Sequence, residues 1–176
     1  MKIKIRQETT ADYPIVFNLI EKAFFNEILS DKKEQFLVER LRKSEGFIPE
    51  LSLVAEVNHQ IVGYILLTEI NIETRKESVI ALALAPVAVL PDFQKKGIGR
   101  QLIEAAHHIA KKLGYQSIIL LGHENYYPKF GYQPLHQFNI SLPFDAPKEN
   151  CMALELVPEA LKNKEGKVIY PKEFFE

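Results

Sequence analysis

The sequence predicts a single α/β domain with helices packed on a central sheet, and three observations carry that expectation. Segments in which apolar and charged residues alternate, such as Ile3 and Ile5 between Lys2, Lys4 and Arg6, have the period of half-buried strands. Other segments repeat apolar residues at three- and four-residue spacings, the period of an amphipathic helix. One apolar strand, Val79 to Leu90, leads through a turn into a helix and on to a short strand at Ser117 to Leu121. A strand-helix-strand unit of that kind pairs its strands in parallel. The 176 residues suffice for one hydrophobic core, and 47% hydrophobic with 26% charged residues is a globular rather than a disordered composition. The expected domain covers residues 1–176.

Taken in order, the first strand is followed by Thr9, Thr10 and Asp12, N-cap candidates for a helix through about Phe25 with Pro14 in its first turn. Its inward stripe reads as Ile15, Leu19, Ala23 and Ile20 or Phe24. A second helix is expected from Asp31 to Lys43 with Phe36, Leu37 and Leu41 inward, and Ser44 to Pro49 reads as a loop. Leu51 to Val57 and Ile61 to Ile72 flank Asn58-His59-Gln60, a hairpin with a three-residue connection. In Val79 to Leu90, Pro86 excludes a helix and favours a strand buried on both faces. Pro86 also removes one ladder donor, which predicts a bulge or splay and a gap that a ligand can enter. The helix from about Ile98 to Leu113 aligns Ile98, Leu102, Ala105 or Ala106, Ile109 and Leu113, stops at Gly114, and carries Lys111 and Lys112 at its negative end. Phe138 to Leu142 and Met152 to Val157 read as two late strands, and Lys162 to Glu176 carries little signal.

Several function classes are disfavoured. A formal net charge of −1 argues against a dedicated nucleic-acid binder. Cys151 is the only cysteine, so neither an intramolecular disulfide nor a multi-cysteine zinc site can form, and a buried structural thiol is expected. The adjacent His107 and His108 point about 100° apart on a helix, so no metal site is expected there. The N-terminus lacks the apolar core of roughly 7 to 15 residues of a signal peptide. No window approaches the roughly 18 apolar residues of a membrane span. A cytoplasmic protein with no membrane partner is the expectation.

The most specific segment is Val87-Ala-Val-Leu-Pro-Asp-Phe-Gln-Lys-Lys-Gly-Ile-Gly-Arg100, a strand running into a basic, glycine-punctuated helix start. The first N–H groups of a helix lack intrahelical partners and carry the positive end of its dipole, so they suit a phosphate. Gly97 and Gly99 permit close approach, while Lys95, Lys96 and Arg100 add positive charge. The nucleoside-triphosphate loop pattern is absent, and the dinucleotide fingerprint would need a third glycine where Leu102 stands. Gln94-x-x-Gly97-x-Gly99 after Val87-x-Val89-x-Pro91 instead resembles the acetyl-coenzyme A motif of the GCN5-related N-acetyltransferase (GNAT) superfamily. That resemblance implies a mixed, mostly antiparallel, splayed central sheet flanked by about four helices. It assigns the main chain of Val87, Ala88 and Val89 to the pantetheine arm, and the amides of Lys95, Lys96, Gly97, Ile98, Gly99 and Arg100 to the pyrophosphate. Gln94 would contact the phosphate region or orient the turn.

A second constellation, Leu121-Gly-His-Glu-Asn-Tyr-Tyr-Pro-Lys-Phe-Gly-Tyr132, is similar to a subgroup of predicted bacterial N-acetyltransferases whose usual form is Tyr-Tyr-x-Arg-Phe-Gly-Phe. Lys129 and Tyr132 depart from that form, and the resemblance covers roughly residues 3 to 135. Within it Tyr127, four residues before Gly131, is the general-acid candidate. A thiol has a pKa of about 8.5 and a phenol about 10, so a tyrosine can share its proton as charge develops on a departing thiolate. A base is also needed to deprotonate the amine, and Glu69, His123 and Glu124 remain open for that role. His59, His107, His108 and His136 have weaker cases.

The resemblance implies an N-acetyltransferase with acetyl-CoA as cosubstrate and no metal, in which a primary amine of a small molecule or peptide attacks the thioester directly. A non-catalytic acyl-CoA-binding or regulatory module, another acyl group, and a hydroxyl acceptor are the alternatives. The acceptor cleft would lie between the first two helices and the late strands. Phe24, Phe25, Phe36 and Phe47 either line it or fill the core, and a homodimer would form through the late strands.

Overall fold

The computed structural model describes residues 1–176. Strand β1 (Ile3–Gln7) leads to helix α1 (Tyr13–Phe24), and α2 (Glu34–Leu41) follows. Strands β2 (Phe47–Val57), β3 (Gln60–Thr74) and β4 (Ser78–Val89) form an antiparallel meander, after which α3 (Ile98–Lys112) crosses to β5 (Ser117–Leu121). Strands β6 (Gln133–Pro134), β7 (Ile140–Ser141), β8 (Cys151–Glu155) and β9 (Gly166–Ile169) complete a nine-stranded sheet of order β1-β2-β3-β4-β5-β8-β6, with β9 on β3 and β7 on β9. Only β4–β5 and β7–β9 pair in parallel. The α-helices number three where about four were expected. No helix is long and apolar enough to cross a membrane.

The sequence patterns account for most of these elements. Asp12 ties down the start of α1: its carboxylate accepts from Thr9 N–H at 2.8 Å and from Thr9 Oγ1 at 3.0 Å, and it pairs with Arg6. The buried residues of α1 are Val16, Leu19 and Ile20, whereas Ile15 is half exposed. The stripe is thus turned by one residue, because Val16, Leu19, Ile20 and Ala23 fill the sheet-facing spacing by themselves. In the shorter α2 the inward residues are Gln35, Val38 and Leu41; Phe36 points sideways and meets Phe17 of α1 edge-on at 5.2 Å. The expected loop at Ser44 to Pro49 already contains the start of β2, where Phe47 pairs with Thr68. The hairpin link has two residues rather than three, since Val57 pairs with Gln60. Asn58 and His59 both take positive φ, 49° and 63°, as a tight hairpin turn that matches strand twist demands.

Two further expectations are corrected near the C-terminus. Of Phe138 to Leu142 only Ile140–Ser141 is strand, because Leu135–Phe138 forms a 3-10 turn closed by Asn139 at φ 54°. The tail holds β9, a four-residue strand with one buried side chain, Val168, which is stabilised by pairing with Asn71 to Thr74 of β3.

Pro86 acts as expected. The β3–β4 register shifts between Ile65↔Val87 and Leu67↔Leu84, so Ala85 and Pro86 bulge opposite Leu66. On its other edge β4 pairs with β5 only at Leu82↔Ile118 and Ala83↔Ile119. Beyond Ala83 the two strands part. One core lies between the sheet and α3, with Ile98, Leu102, Ala106, Ile118 and Leu120 among its members. The opposite face carries a cluster under α1 and α2 and another under the late strands, the latter including Ala83 and Ile119.

Candidate functional site

The split between β4 and β5 and the start of α3 form one continuous feature. Antiparallel pairing directs the main chain of alternate residues toward and away from the neighbouring strand. Leu90 N–H donates to Val62 C=O at 2.9 Å, which sets this alternation so that Ala88 faces β3 while Val87 and Val89 face the split. The edge of β4 therefore offers the main-chain groups of Val87 and the N–H of Val89 to an extended ligand, and the Ala88 side chain is buried under α1. Gln94 donates from Nε2 to Val89 C=O at 3.1 Å, which braces the turn.

Lys95 and Gly97 turn the chain into α3 with φ values of 60° and 81°. The first carbonyl of the helix ladder to be used is that of Gly97, which accepts from Gln101 N–H at 3.1 Å. The amides of Ile98, Gly99 and Arg100 precede that bond, and no side chain caps them. Arg100 is held by Glu104 at 2.8 Å, and Lys96 donates to Asp92 C=O at 2.8 Å over the Phe93 ring. Lys95, Lys96, Gly97 and Arg100 are solvent-exposed, Ile98 is buried as the helix's first anchor, and Gly99 lies between.

Both tyrosines of the pair reach this site. Tyr127 begins a 3-10 turn, Tyr127–Phe130, that ends at Gly131 with φ 95°. Its ring is half-buried between Tyr126 and Tyr132, at 5.2 and 5.7 Å between centroids, and lies tightly against Gly122. Burial holds the Tyr127 phenol above its ordinary pKa, and its hydroxyl makes no hydrogen bond within the protein. It therefore stays protonated and neutral at physiological pH. Tyr126, to which the sequence reading gave no role, reaches back over α3: a Cβ at Gly99 would stand 3.2 Å from its hydroxyl. Burial raises the Tyr126 phenol while nearby Arg100 opposes the rise. The signal for it was the Tyr-Tyr pair itself, since neighbouring side chains on a tight turn point in different directions and can meet two different walls. Behind them Tyr132 is buried and shares a 2.9 Å hydrogen bond with His107 Nε2, whose imidazole burial lowers to a pKa of about 4. His107 therefore packs as a neutral ring.

The base candidates fall at different places. Glu69 pairs with Leu82, at the closed end of the split, and accepts from Tyr115 Oη at 2.7 Å on the α3 side. His123 stands at the mouth, just past β5, with Nε2 3.6 Å from Glu27 in the loop after α1. Glu124 is exposed beside it. His59, His108 and His136 are exposed. Of the four phenylalanines, Phe24 and Phe47 pack against the core, Phe36 packs on Phe17, and Phe25 is exposed. Cys151 is buried as expected.

The chain is similar in sequence and fold to known proteins. A family model of the acetyltransferase (GNAT) domain matches residues 49–134, the span from β2 through the parted strands and α3 to β6. The uncharacterized N-acetyltransferase YjhQ of Escherichia coli K12 is 37% identical over 102 residues, an alignment that spans 58% of this chain and 56% of YjhQ. The crystal structure of E. coli YhbS, a GNAT family N-acetyltransferase in complex with CoA, superposes with a TM-score of 0.89 at 24% identity, covering 100% of this chain and 93% of that one. A GNAT family acetyltransferase from Brucella melitensis, in complex with acetyl-CoA, superposes with a TM-score of 0.80 at 28% identity over 98% of both chains. Matched through the strands, turn and helix that build the split, residues 49–134 form a GNAT acetyltransferase domain, and the whole chain has the fold of GNAT family enzymes.

Proposed function

We propose that the protein is an N-acetyltransferase that transfers the acetyl group of acetyl-CoA to a primary amine. The observation that carries this reading is the joining of three features: a free strand edge, a helix start with unpartnered amides, and an unbonded tyrosine hydroxyl in one split. Main-chain groups of Val87 and Val89 suit the amides of a pantetheine arm, and the amides of Ile98, Gly99 and Arg100 suit a pyrophosphate. Acetyl-CoA, when bound, supplies an activated acyl group on a thiol leaving group. The chain's residues then position and move protons. Tyr127 gives its proton to the departing thiolate as the amine nitrogen bonds to the acyl carbon and the carbon–sulfur bond breaks. His123, Glu124 or Glu69 takes the proton that the amine loses.

Titration calorimetry with acetyl-CoA and a thiol-release assay across amino acids, polyamines, aminoglycosides and peptide N-termini test the proposal together. Binding with amine-dependent CoA release supports it. Binding without release for any amine favours a non-catalytic acyl-CoA module instead.

A further inference from the structure

Tyr126 joins the two lips of the split at the start of α3. It belongs to the segment after β5, where its N–H donates to His123 C=O at 3.1 Å, whereas Val89 and Gly99 belong to the lip made by β4 and α3. Its hydroxyl nevertheless stands 3.2 Å from the place of a Cβ on Gly99, and that same place is 3.8 Å from Val89 Cγ2. Packing holds the ring there: it meets Tyr127 and Phe130 edge-on, with centroids 5.2 and 5.4 Å away. The hydroxyl makes no hydrogen bond within the protein. A Cβ on a helix leans toward the N-terminus, so the place it would take at Gly99 is the space in front of the unpartnered amides of Ile98, Gly99 and Arg100. A group seated on those amides therefore meets the Tyr126 O–H.

The surroundings suit an anion. Arg100 follows Gly99 on α3 and lies near enough to the phenol to oppose the rise that burial gives its pKa, and Lys129 Nζ is 5.7 Å from the ring centroid. The acid at this corner is Glu104, which is engaged with Arg100 at 2.8 Å. Because burial raises the Tyr126 phenol, it stays protonated and brings a donor without a negative charge to repel a phosphate.

Resting on the acetyltransferase reading, we propose that Tyr126 is a cofactor-binding residue whose O–H donates across the split to a phosphate oxygen of the diphosphate seated on the α3 amides. Hydrogen bonds to an ionised acceptor are stronger than neutral ones, so this contact adds to the preference for an acyl-CoA over an acyl-pantetheine that lacks the diphosphate. The adjacent tyrosines then serve opposite ends of one ligand, Tyr126 the diphosphate and Tyr127 the thioester.

The test uses Tyr126→Phe, which removes one oxygen and keeps the ring. Acetyl-CoA binding is measured by titration calorimetry, and binding of S-acetylpantetheine, the same thioester and arm without phosphate, by NMR titration. The proposal predicts that the variant binds acetyl-CoA about tenfold or more weakly, the loss of one hydrogen bond to a charged group, and S-acetylpantetheine within about twofold of wild type. Its melting temperature without ligand should stay at the wild-type value, since the contacts with Tyr127 and Phe130 remain. Acetyl-CoA affinity within about twofold of wild type overturns the proposal and leaves the acetyltransferase reading standing. Equal weakening of both ligands also overturns it, because the hydroxyl would then serve the arm or the local packing. Failure of the wild-type protein to bind acetyl-CoA removes the acetyltransferase reading, and this proposal with it.

Discussion

Replacing Gly99 by alanine should move stability and cofactor affinity in opposite directions. Side chains of a helix lean toward its N-terminus, so a Cβ at Gly99 projects toward the space in front of the free amides of α3. There it stands 3.2 Å from the Tyr126 hydroxyl and 3.8 Å from Val89 Cγ2, contacts that cost little once the hydroxyl shifts by a few tenths of an ångström. Alanine in a helix gains up to about 1 kcal/mol over glycine, so the variant should melt at or slightly above the wild-type temperature. The methyl group nevertheless keeps a phosphate from closing on the amides. Losing one hydrogen bond to a charged group costs about 1.5 to 3 kcal/mol, which is roughly a 10- to 150-fold rise in Kd. Gly97→Ala is the contrasting control: nothing lies near its Cβ position, but φ is 81°, so it should lose about 1 to 2 kcal/mol of stability. Thermal melting and acetyl-CoA calorimetry read both effects. A Gly99→Ala protein that binds acetyl-CoA within about twofold of wild type would refute the reasoning.

Gly122→Ala places a methyl group into the Tyr127 ring and should lower the CoA-release rate about 100-fold by displacing the acid, with acetyl-CoA affinity nearly unchanged; an unaltered rate would show that the ring position does not matter. The base candidates separate by position: His123→Gln or Glu124→Gln should lower kcat/KM about 100-fold if the mouth supplies the base, whereas Glu69→Gln should do so if the closed end does. His107 makes stability sensitive to mild acid. Its folded pKa of about 4 lies below the unfolded value of 6.5, so below that pH the unfolded chain binds a proton that the folded one refuses. Stability should fall by at most about 3 kcal/mol as pH drops from about 6.5 to about 4, and His107→Gln should flatten that slope in denaturant titrations. Asp12, lowered to about 2 chiefly by its hydrogen bond from Arg6, loses its contribution only in stronger acid, below its ordinary 3.8, so the two effects do not overlap.

The features legible in the sequence were those whose signal is local. Pro86 in an apolar strand announced the bulge and the parting of β4 from β5, because a missing N–H acts where it stands. The glycine-rich turn and the α3 stripe were readable for the same reason. What escaped depends on partners distant in sequence. Strand β9 shows almost no pattern in four residues and exists because β3 offers an edge at Asn71 to Thr74. Phe36 looked like a core residue by spacing, yet it packs on Phe17 because α1 covers the sheet beside it. Tyr126 could not be placed against Gly99 until α3 and the 3-10 turn at Tyr127–Phe130 were set side by side. The same holds for the rings of Phe144, Tyr170, Phe174 and Phe175, which come from two separate late segments.

The central claim is that the unbonded Tyr127 hydroxyl serves as the proton donor in the split. Its most direct test is the rate of amine-dependent CoA release by Tyr127→Phe, measured at saturating acetyl-CoA. Phenylalanine keeps the ring and its contacts with Tyr126 and Tyr132, so folding and acetyl-CoA affinity should be retained. The account predicts a fall of about 100-fold or more in that rate, the usual contribution of a positioned acid. A rate within about twofold of wild type would contradict it.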